Sequence, residues 1–433
     1  MKRAELQWLT NWKSSPNRKP LLIRGARQVG KTWLMKEFGR QYYQQVAYIN
    51  LEEKPVLKNV FKAGYDINRI LTSIRIETKL NVESHNTLII LDEIQESPEA
   101  ITALKYFQEN APEYHVMAAG SLLGVALAQH SSFPVGKVEF LDLYPLDYLE
   151  FLEAIGDQAL AELIRNKDWT LIQTFRERFI ERLKEYYYVG GMPEVVSSFA
   201  RQGDLKKARE IQKRILISYE QDFAKHAQPA LVPRIRMIWN AIPAQLGKEN
   251  RKFIYGQLRQ GARAKEFELA ISWLIDCGLL HKVTNVNKPA LPLKAYEETN
   301  VFKLFLVDTG LLTAMSDLDI KTILEGNLVF TEFKGALTEQ YVLQQLRSLK
   351  NLAIHYWSPG QSVAEIDFIV QSEGRIIPIE VKAEENLKAK SLRVYCEKYK
   401  PELAIRTSMS DYREEEWMIN IPLYTISQFT SSK

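Results

Sequence analysis

The chain has 433 residues, of which 46% are hydrophobic and 25% are charged, and its formal net charge is +4. This length exceeds what one hydrophobic core usually serves, and the composition excludes a largely disordered chain. So small a positive charge permits contact with nucleic acid without requiring it. No apolar run of about 18 residues predicts a membrane span. The two cysteines, Cys277 and Cys396, lack metal-ligand spacing and fit a reducing compartment, so we expect a cytoplasmic protein without a membrane partner.

The first 120 residues alternate between predicted strands and predicted helices. Apolar runs predict strands at 21–24, 46–51, 87–91 and 114–119, and helical patterns cover 32–38 and 100–110. This alternation favours a parallel α/β sheet. It is the pattern of a nucleotide-binding domain.

A complete phosphate-binding loop lies between the first strand and the first helix. Its sequence, GARQVGKT, matches the pattern G-x-x-x-x-G-K-[ST], in which glycines let backbone N–H groups point into a concavity at a helix N-terminus. Lys31 is expected to reach the β- and γ-phosphates of ATP, and Thr32 is expected to hold Mg²⁺. The predicted ATP-binding residues of this segment are Gly25, Ala26, Arg27, Gln28, Val29, Gly30, Lys31, Thr32 and Trp33.

An acidic pair follows a buried strand about 60 residues later. In TLIILDEIQE, four apolar residues lead directly into Asp92 and Glu93. After a phosphate-binding loop this pattern indicates hydrolysis, with Asp92 binding Mg²⁺ through water and Glu93 polarising the attacking water. Ser121 ends the next strand, where it is either a sensor of the γ-phosphate or a plain turn residue.

The remainder of the chain divides into three further predicted parts. Residues 145–225 are almost wholly helical, with a break at GGMPE (190–194). Residues 253–308 show the order helix, turn, helix, hairpin, which is typical of a winged helix. After residue 330 a helix precedes strands at 353–357, 364–370 and 375–381 and a Lys-rich helical tail. The predicted domains are a P-loop ATPase core (1–144), a helical lid (145–228), a winged helix (229–325) and an α+β module (326–433).

Several segments resemble one family across most of the chain. LLIRGARQVGKTWL, LIILDEIQE, AAGSLLG, LDLYPLDYLEFL and YYYVGGMPEVV are similar to the bacterial and archaeal AAA-type ATPases of the signal-transduction (STAND-related) branch, fused to a C-terminal domain of unknown function. The resemblance implies that Gly191 and Pro193 belong to a lid motif whose proline packs on adenine. Without the resemblance, Gly191 and Pro193 are equally well explained as a break between two helices that contains a proline. The resemblance further implies that a neighbouring subunit completes the site.

Four polar residues stand out in the last module. Glu339 lies on the apolar face of a predicted helix, Asp367 lies in a strand, and Glu380 and Lys382 share one face of the next strand. This spacing resembles the PD-(D/E)xK nuclease fold, which implies that Glu339, Asp367 and Glu380 bind Mg²⁺ and that Glu380 and Lys382 act in catalysis. The alternative for Glu380 and Lys382 is a salt bridge on an exposed strand face.

The predicted second helix of the winged helix, 264–276, gives a mixed signal for DNA. Arg263 and Lys265 lie near its start, where a recognition helix would meet the duplex backbone. Glu266 and Glu268 on the same helix would repel phosphates. A winged helix that only packs between modules is an equal alternative.

The sequence therefore predicts a Mg²⁺-dependent ATPase whose nucleotide state is coupled to a nuclease-like domain that binds or cleaves DNA. The alternative is a nucleotide-dependent switch or scaffold, in which the nuclease-like domain docks a protein partner without cleavage. A small-molecule phosphotransferase is disfavoured because Glu93 after Asp92 suits water activation. The candidate partners besides ATP are DNA, another protein and further copies of this chain.

Overall fold

A computed structural model describes residues 2–125, 134, 136–248, 251–325, 331–350, 352–359, 364–385 and 389–429. The chain divides into two compact units. The first unit comprises residues 2–144 and 273–279, and the second comprises residues 145–272 and 280–433. Among the described residues, no helix is long and apolar enough to cross a membrane.

The first unit is built on a five-stranded sheet in the order β2-β3-β4-β1-β5, and all of its strand pairs are parallel. Its strands are β1 (Leu21–Arg24), β2 (Gln45–Asn50), β3 (Thr87–Asp92), β4 (His115–Ala119) and β5 (Glu139–Asp142). Its helices are α1 (Glu5–Ser14), α2 (Lys31–Tyr42), α3 (Pro55–Lys62), α4 (Ile67–Thr78) and α5 (Pro98–Asn110). The predicted parallel α/β sheet is confirmed. The sequence did not predict β5, whose four residues EFLD carry no apolar run.

Local signals explain where several of these elements begin. Helix α4 starts after Asp66, whose side chain accepts hydrogen bonds from two backbone N–H groups of the first turn. Proline occupies the first turn of α3 and α5, where its missing N–H costs nothing. Strand β3 is buried along its whole length, as its uninterrupted apolar run predicts. The carboxyl end of β3, where Asp92 lies, is therefore held by a packed core.

The second unit begins with the helices that the sequence predicted for 145–225. They are α6 (Tyr148–Ala154), α7 (Gln158–Asn166), α8 (Trp169–Thr174), α9 (Arg176–Val189), α10 (Pro193–Gln202) and α11 (Leu205–His226). Further along the chain lie α12 (Val232–Leu246), α13 (Ala264–Asp276), α14 (Thr309–Met315), α15 (Ile320–Glu325), α16 (Thr331–Ser348) and α17 (Lys390–Tyr399). Helix α6 starts with a capping box formed by Asp147 and Glu150.

An eight-stranded mixed sheet forms the rest of the second unit, in the order β12-β13-β11-β10-β9-β8-β6-β7. Its strands are β6 (Leu280–Val286), β7 (Glu297–Leu306), β8 (Ala353–Trp357), β9 (Ile366–Ser372), β10 (Arg375–Val381), β11 (Ile405–Ser408), β12 (Arg413–Glu415) and β13 (Met418–Pro422). The hairpin β6–β7 corresponds to the predicted winged-helix strands. Strand β6 also pairs in parallel with β8, so one sheet crosses the domain boundary that the sequence placed between residues 325 and 326.

The Lys-rich tail differs from its prediction. It is helical only in α17 and then continues into β11, β12 and β13. Strands β11 and β13 each have buried residues at most positions and extend the sheet in parallel from β10. The prediction of a helical tail was wrong beyond Tyr399, because these strands are only three to five residues long and gain their stability from pairing with distant strands.

Candidate functional site

The phosphate-binding loop connects the carboxyl end of β1 to the first turn of α2. Gly30 and Gln28 adopt left-handed backbone conformations, with φ of 95° and 67°. Gly25 lies so close to the backbone of Leu143 that any Cβ would overlap its carbonyl oxygen. Ala26 and Val29 anchor the loop in the core, where both are buried. The glycine positions of the motif are therefore required by the local backbone and by its close packing.

Lys31 is the first residue of α2 and its side chain is only 7% exposed. Its Nζ donates hydrogen bonds to the carbonyl oxygens of Gly25 and Ala26, at 2.9 and 2.8 Å. Burial lowers the pKa of Lys31 to about 8, although the nearby carboxylates of Glu93 and Asp92 act in the opposite direction. Lys31 thus sits inside the loop, bound to neutral acceptors.

Asp92 receives three neutral hydrogen-bond donors. The hydroxyl of Thr32 donates to its Oδ2 at 2.7 Å, the hydroxyl of Tyr48 donates to the same oxygen at 3.0 Å, and the backbone N–H of Glu93 donates to Oδ1 at 3.1 Å. Asp92 is 4% exposed. The structure therefore brings Thr32 and Asp92, the two predicted Mg²⁺ ligands of this region, into direct contact. A hydroxyl and a carboxylate are oxygen ligands of the type that Mg²⁺ prefers, so these residues fit the ion.

Glu93 follows Asp92 in a left-handed conformation, with φ of 50°. Its Oε2 accepts a hydrogen bond from the side-chain amide of Gln95 at 2.7 Å. This conformation is uncommon for a non-glycine residue and is often found at functional sites. Sequence reasoning missed both Gln95 and Tyr48. The only signal for Gln95 was its position two residues after Glu93.

The other predicted ATP-binding residues have varied surroundings. Arg27 and Gln28 are exposed, and Trp33 is 41% exposed. Ser121 follows β4 and Gly120 and is half-buried. Pro193 is half-buried at the start of α10, in the second compact unit.

The GGMPE segment has a packing role within the second unit. The backbone N–H of Gly191 donates to Oδ2 of the buried Asp308 at 2.6 Å, and its carbonyl accepts from Leu146 N at 2.7 Å. Gly190 has φ of 73°, and a Cβ there would overlap the Asp308 carboxylate. Burial raises the pKa of Asp308, while its hydrogen bonds, including those from Gly191 and Gln344, oppose the shift. Gly190 is therefore needed by the contact with Asp308, and Gly191 by its close approach to the backbone of Leu146, whatever Pro193 binds.

In the C-terminal region, Glu339 lies on α16 and is 3% exposed. It forms an ion pair with Arg251, and its Oε2 lies 3.6 Å from Nζ of Lys303. Lys303 is fully buried in β7 and also pairs with Glu365 at 2.6 Å. Burial lowers the pKa of Arg251, and the carboxylates of Asp367 and Glu365 oppose that shift. Glu339 thus has two cationic neighbours that the sequence prediction did not include.

Asp367 and Glu380 lie on the neighbouring antiparallel strands β9 and β10. Oδ2 of Asp367 accepts from the backbone N–H of Val381 at 2.7 Å, and Oε1 of Glu380 pairs with Nζ of Lys382 at 2.6 Å. Burial, together with the Asp367 charge, raises the pKa of Glu380 to about 7. Burial alone would lower the pKa of Lys382, but its contact with Glu380 raises it.

The structure thus brings Asp367, Glu380 and Lys382 to one part of the sheet. Among the side chains that the structure describes, however, no group of three or more His, Cys, Asp or Glu residues is arranged to hold a metal ion. Each of the three predicted acids already has a cation or a backbone donor of its own. The other carboxylate oxygens of Glu339 and Glu380, both Oε2, are buried without a hydrogen-bond partner, so the metal-binding role of these acids stays a prediction.

Three family models match consecutive parts of the chain. Residues 17–152 match a AAA domain, residues 180–322 match a domain of unknown function (DUF8612), and residues 334–426 match a second domain of unknown function (DUF4143). The N-terminal region is therefore a P-loop domain of the AAA type. The two other descriptions name neither a nuclease nor a winged helix.

Similar proteins extend over more of the chain. The uncharacterized proteins Rv2008c of Mycobacterium tuberculosis and Mb2031c of Mycobacterium bovis are each 23% identical over 381 residues, covering 84% of this chain and 70% of the relative. Among solved structures, the Walker-type ATPase paby2304 of Pyrococcus abyssi is 15% identical, with a TM-score of 0.46, covering 73% of this chain and 95% of that chain. At this TM-score the likeness carries no argument about function.

Proposed function

We propose that this chain binds ATP together with Mg²⁺ and hydrolyses it at the carboxyl ends of β1 and β3. The observation that carries this proposal is the 2.7 Å hydrogen bond between Thr32 and Asp92. It joins the hydroxyl of the phosphate-binding loop to the carboxylate of the acidic pair, which are the two groups expected to hold the metal ion. Bound there, Mg²⁺ would offset the charge of the phosphates during the reaction.

The roles of the chain's own residues follow from their positions. The backbone N–H groups between Gly25 and Thr32 would bind the phosphates at the N-terminus of α2. Lys31 would exchange its two carbonyl acceptors for phosphate oxygens, which offer a stronger, charge-assisted hydrogen bond. Glu93 would accept a hydrogen bond and then a proton from the attacking water.

Two variants separate binding from hydrolysis. Lys31→Ala is expected to lower ATP affinity and turnover together, whereas Glu93→Gln is expected to keep ATP bound and lower kcat by about 10²- to 10⁴-fold, the usual contribution of a general base. Affinity is measured with a fluorescent ATP analogue, and turnover by phosphate release. Lys62→Ala, at an exposed lysine on α3, is the matched control and should behave as wild type. Wild-type turnover in Lys31→Ala would refute the assignment of the phosphate-binding loop.

For the second unit, the proposal is that nucleotide state controls a nuclease-like domain that binds DNA. The support is the resemblance carried by Asp367, Glu380 and Lys382. The ion pairs of Glu339 with Arg251 and Lys303 favour the version without cleavage, because they neutralise an acid that a metal ion would need. A switch that docks a protein partner is the second candidate, and the same ion pairs favour it equally.

A measurement of DNA binding would separate the DNA-binding proposal from the protein-docking switch. Arg263 and Lys265 are both exposed at the start of α13. If this helix meets a duplex backbone, replacing both residues with alanine should weaken duplex binding regardless of sequence and reduce its salt dependence. The measurement is fluorescence anisotropy with and without ATP. Absence of duplex binding by the wild-type protein would favour the protein-docking switch.

A further inference from the structure

Gln95 lies in a short 3₁₀ turn, Ile94–Glu96, which begins directly after Glu93. Its Nε2 donates a 2.7 Å hydrogen bond to Oε2 of Glu93. The opposite orientation of the amide would place its oxygen against the carboxylate, where two acceptors would repel each other. The contact therefore fixes both groups, with the Glu93 carboxylate held on one side by the amide of Gln95.

The other end of the same amide has no such partner. Oε1 of Gln95 is buried and accepts no hydrogen bond from the described residues. It lies against Gly120, where a Cβ would overlap it, with the carbon atom of the same amide 3.2 Å away. Gly120 does not have a left-handed φ, so its own backbone does not require glycine. The space beside Gly120 is used by the amide of Gln95.

Gln95 thus connects two elements of the predicted site. Through Nε2 it reaches Glu93, at the end of β3, and through Oε1 it reaches Gly120, which immediately precedes Ser121 at the end of β4. A buried acceptor without a donor is unfavourable, so a donor is expected at Oε1 in the working protein. A water molecule has two hydrogens, so it can donate one to the Glu93 carboxylate and the other to this amide oxygen.

We propose that Gln95 is a positioning residue for ATP hydrolysis. It holds the Glu93 carboxylate through Nε2, and with Oε1 it accepts the second hydrogen of the water that Glu93 activates. One proton of that water passes to Glu93, its oxygen bonds to the terminal phosphorus, and the bond to the bridging oxygen of ADP breaks. Gly120 is needed because any side chain there displaces the amide. This inference rests on the proposed ATPase function.

The test is a double-mutant cycle between Gln95→Ala and Gly120→Ala. Each single variant should lower kcat at least about tenfold, while KM and the affinity for a fluorescent ATP analogue change little. Because both act by removing the same amide from its place, the double variant should be no slower than the slower single variant. Gly256→Ala is the matched control, since a Cβ at Gly256 meets open space and its φ is not left-handed.

Gln95→Met keeps the length of the side chain but lacks the amide, so it leaves a smaller cavity than Gln95→Ala does. Thermal unfolding detects a folding defect in any of these variants. A folded Gln95→Met with wild-type kcat overturns the inference, as do additive losses in the cycle. A fall in ATP affinity equal to the fall in kcat also overturns it, because that pattern indicates a general disturbance of the site. Absence of ATP turnover in the wild-type protein would instead overturn the proposed ATPase function.

Discussion

The molecule contains two groups of acids that the sequence predicted to bind Mg²⁺, and their surroundings differ. At Asp92 the hydrogen-bond donors are neutral: two hydroxyls and a backbone N–H. Glu339 lies beside the cations Arg251 and Lys303, and Glu380 lies beside Lys382 and a second carboxylate, that of Asp367. The charge of a carboxylate held by neutral donors is not compensated by a protein cation, whereas the charge of one beside a buried cation already is.

The lysines of the two regions show the same contrast. Burial lowers the pKa of Lys31 to about 8, and its hydrogen bonds go to carbonyl oxygens. Lys382 pairs directly with Glu380, and its pKa is raised. A lysine without a tight ionic partner is available to an anionic ligand, and one in an ion pair is not. An acid two residues from a lysine in a strand therefore does not by itself define a metal-dependent site.

The largest expected effect is on stability and concerns Glu339. Glu339→Gln removes the ion-pair partner of the largely buried Arg251, while Lys303 keeps Glu365, so the free energy of unfolding should fall by about 3–5 kcal/mol. Asp92→Asn loses charge-assisted hydrogen bonds but leaves no buried cation unpaired, so it should lower the free energy of unfolding by less, about 1–3 kcal/mol. Denaturant unfolding measures both values. Equal losses of unfolding free energy in the two variants would contradict the difference between the ion-paired Glu339 and the neutral surroundings of Asp92.

The next effect concerns metal binding in the presence of ATP. Asp92→Asn should weaken Mn²⁺ binding by about tenfold or more, since it removes a charged oxygen ligand.

Glu380→Ala should leave the number of bound Mn²⁺ ions unchanged, and no metal-dependent cleavage of DNA or RNA is expected. Electron paramagnetic resonance titration and a nuclease assay test these outcomes. Cleavage that Glu380→Ala or Lys382→Ala abolishes, with ATPase activity retained, would restore the nuclease assignment.

The smallest expected effect is a pH dependence of ATP affinity that arises from Lys31. In the free protein the pKa of Lys31 is about 8, and bound phosphates favour the charged form and raise that pKa. Below this value Lys31 is charged in both states, so affinity is flat. Above it, binding requires uptake of a proton, and affinity should fall by up to about tenfold per pH unit. Titrations between about pH 7 and pH 9 test this, with Lys31→Ala as the pH-independent control.

The parallel α/β sheet of the first unit, apart from β5, and the positions of its phosphate-binding loop and acidic pair could be predicted from the sequence. The loop from Gly25 to Thr32 is eight residues long, and the acidic pair follows an uninterrupted apolar strand, so both signals are local. The carboxyl ends of parallel strands share one edge of a sheet, which is why Thr32 and Asp92 could be expected to meet. Gln95 was missed because its role depends on the direction of a single amide.

The ion-pair partners and the strand pairing of the second unit could not be predicted from the sequence. The partners of Glu339 are Arg251, beyond the end of α12, and Lys303, within β7, and no local pattern connects these segments. The pairing of β6 with β8 and of β10 with β11 likewise joins strands that are distant in the chain. Periodicity reports which face of an element is buried, but it does not report which charge faces which across a core. That pairing determines whether a buried acid is a ligand or half of an ion pair.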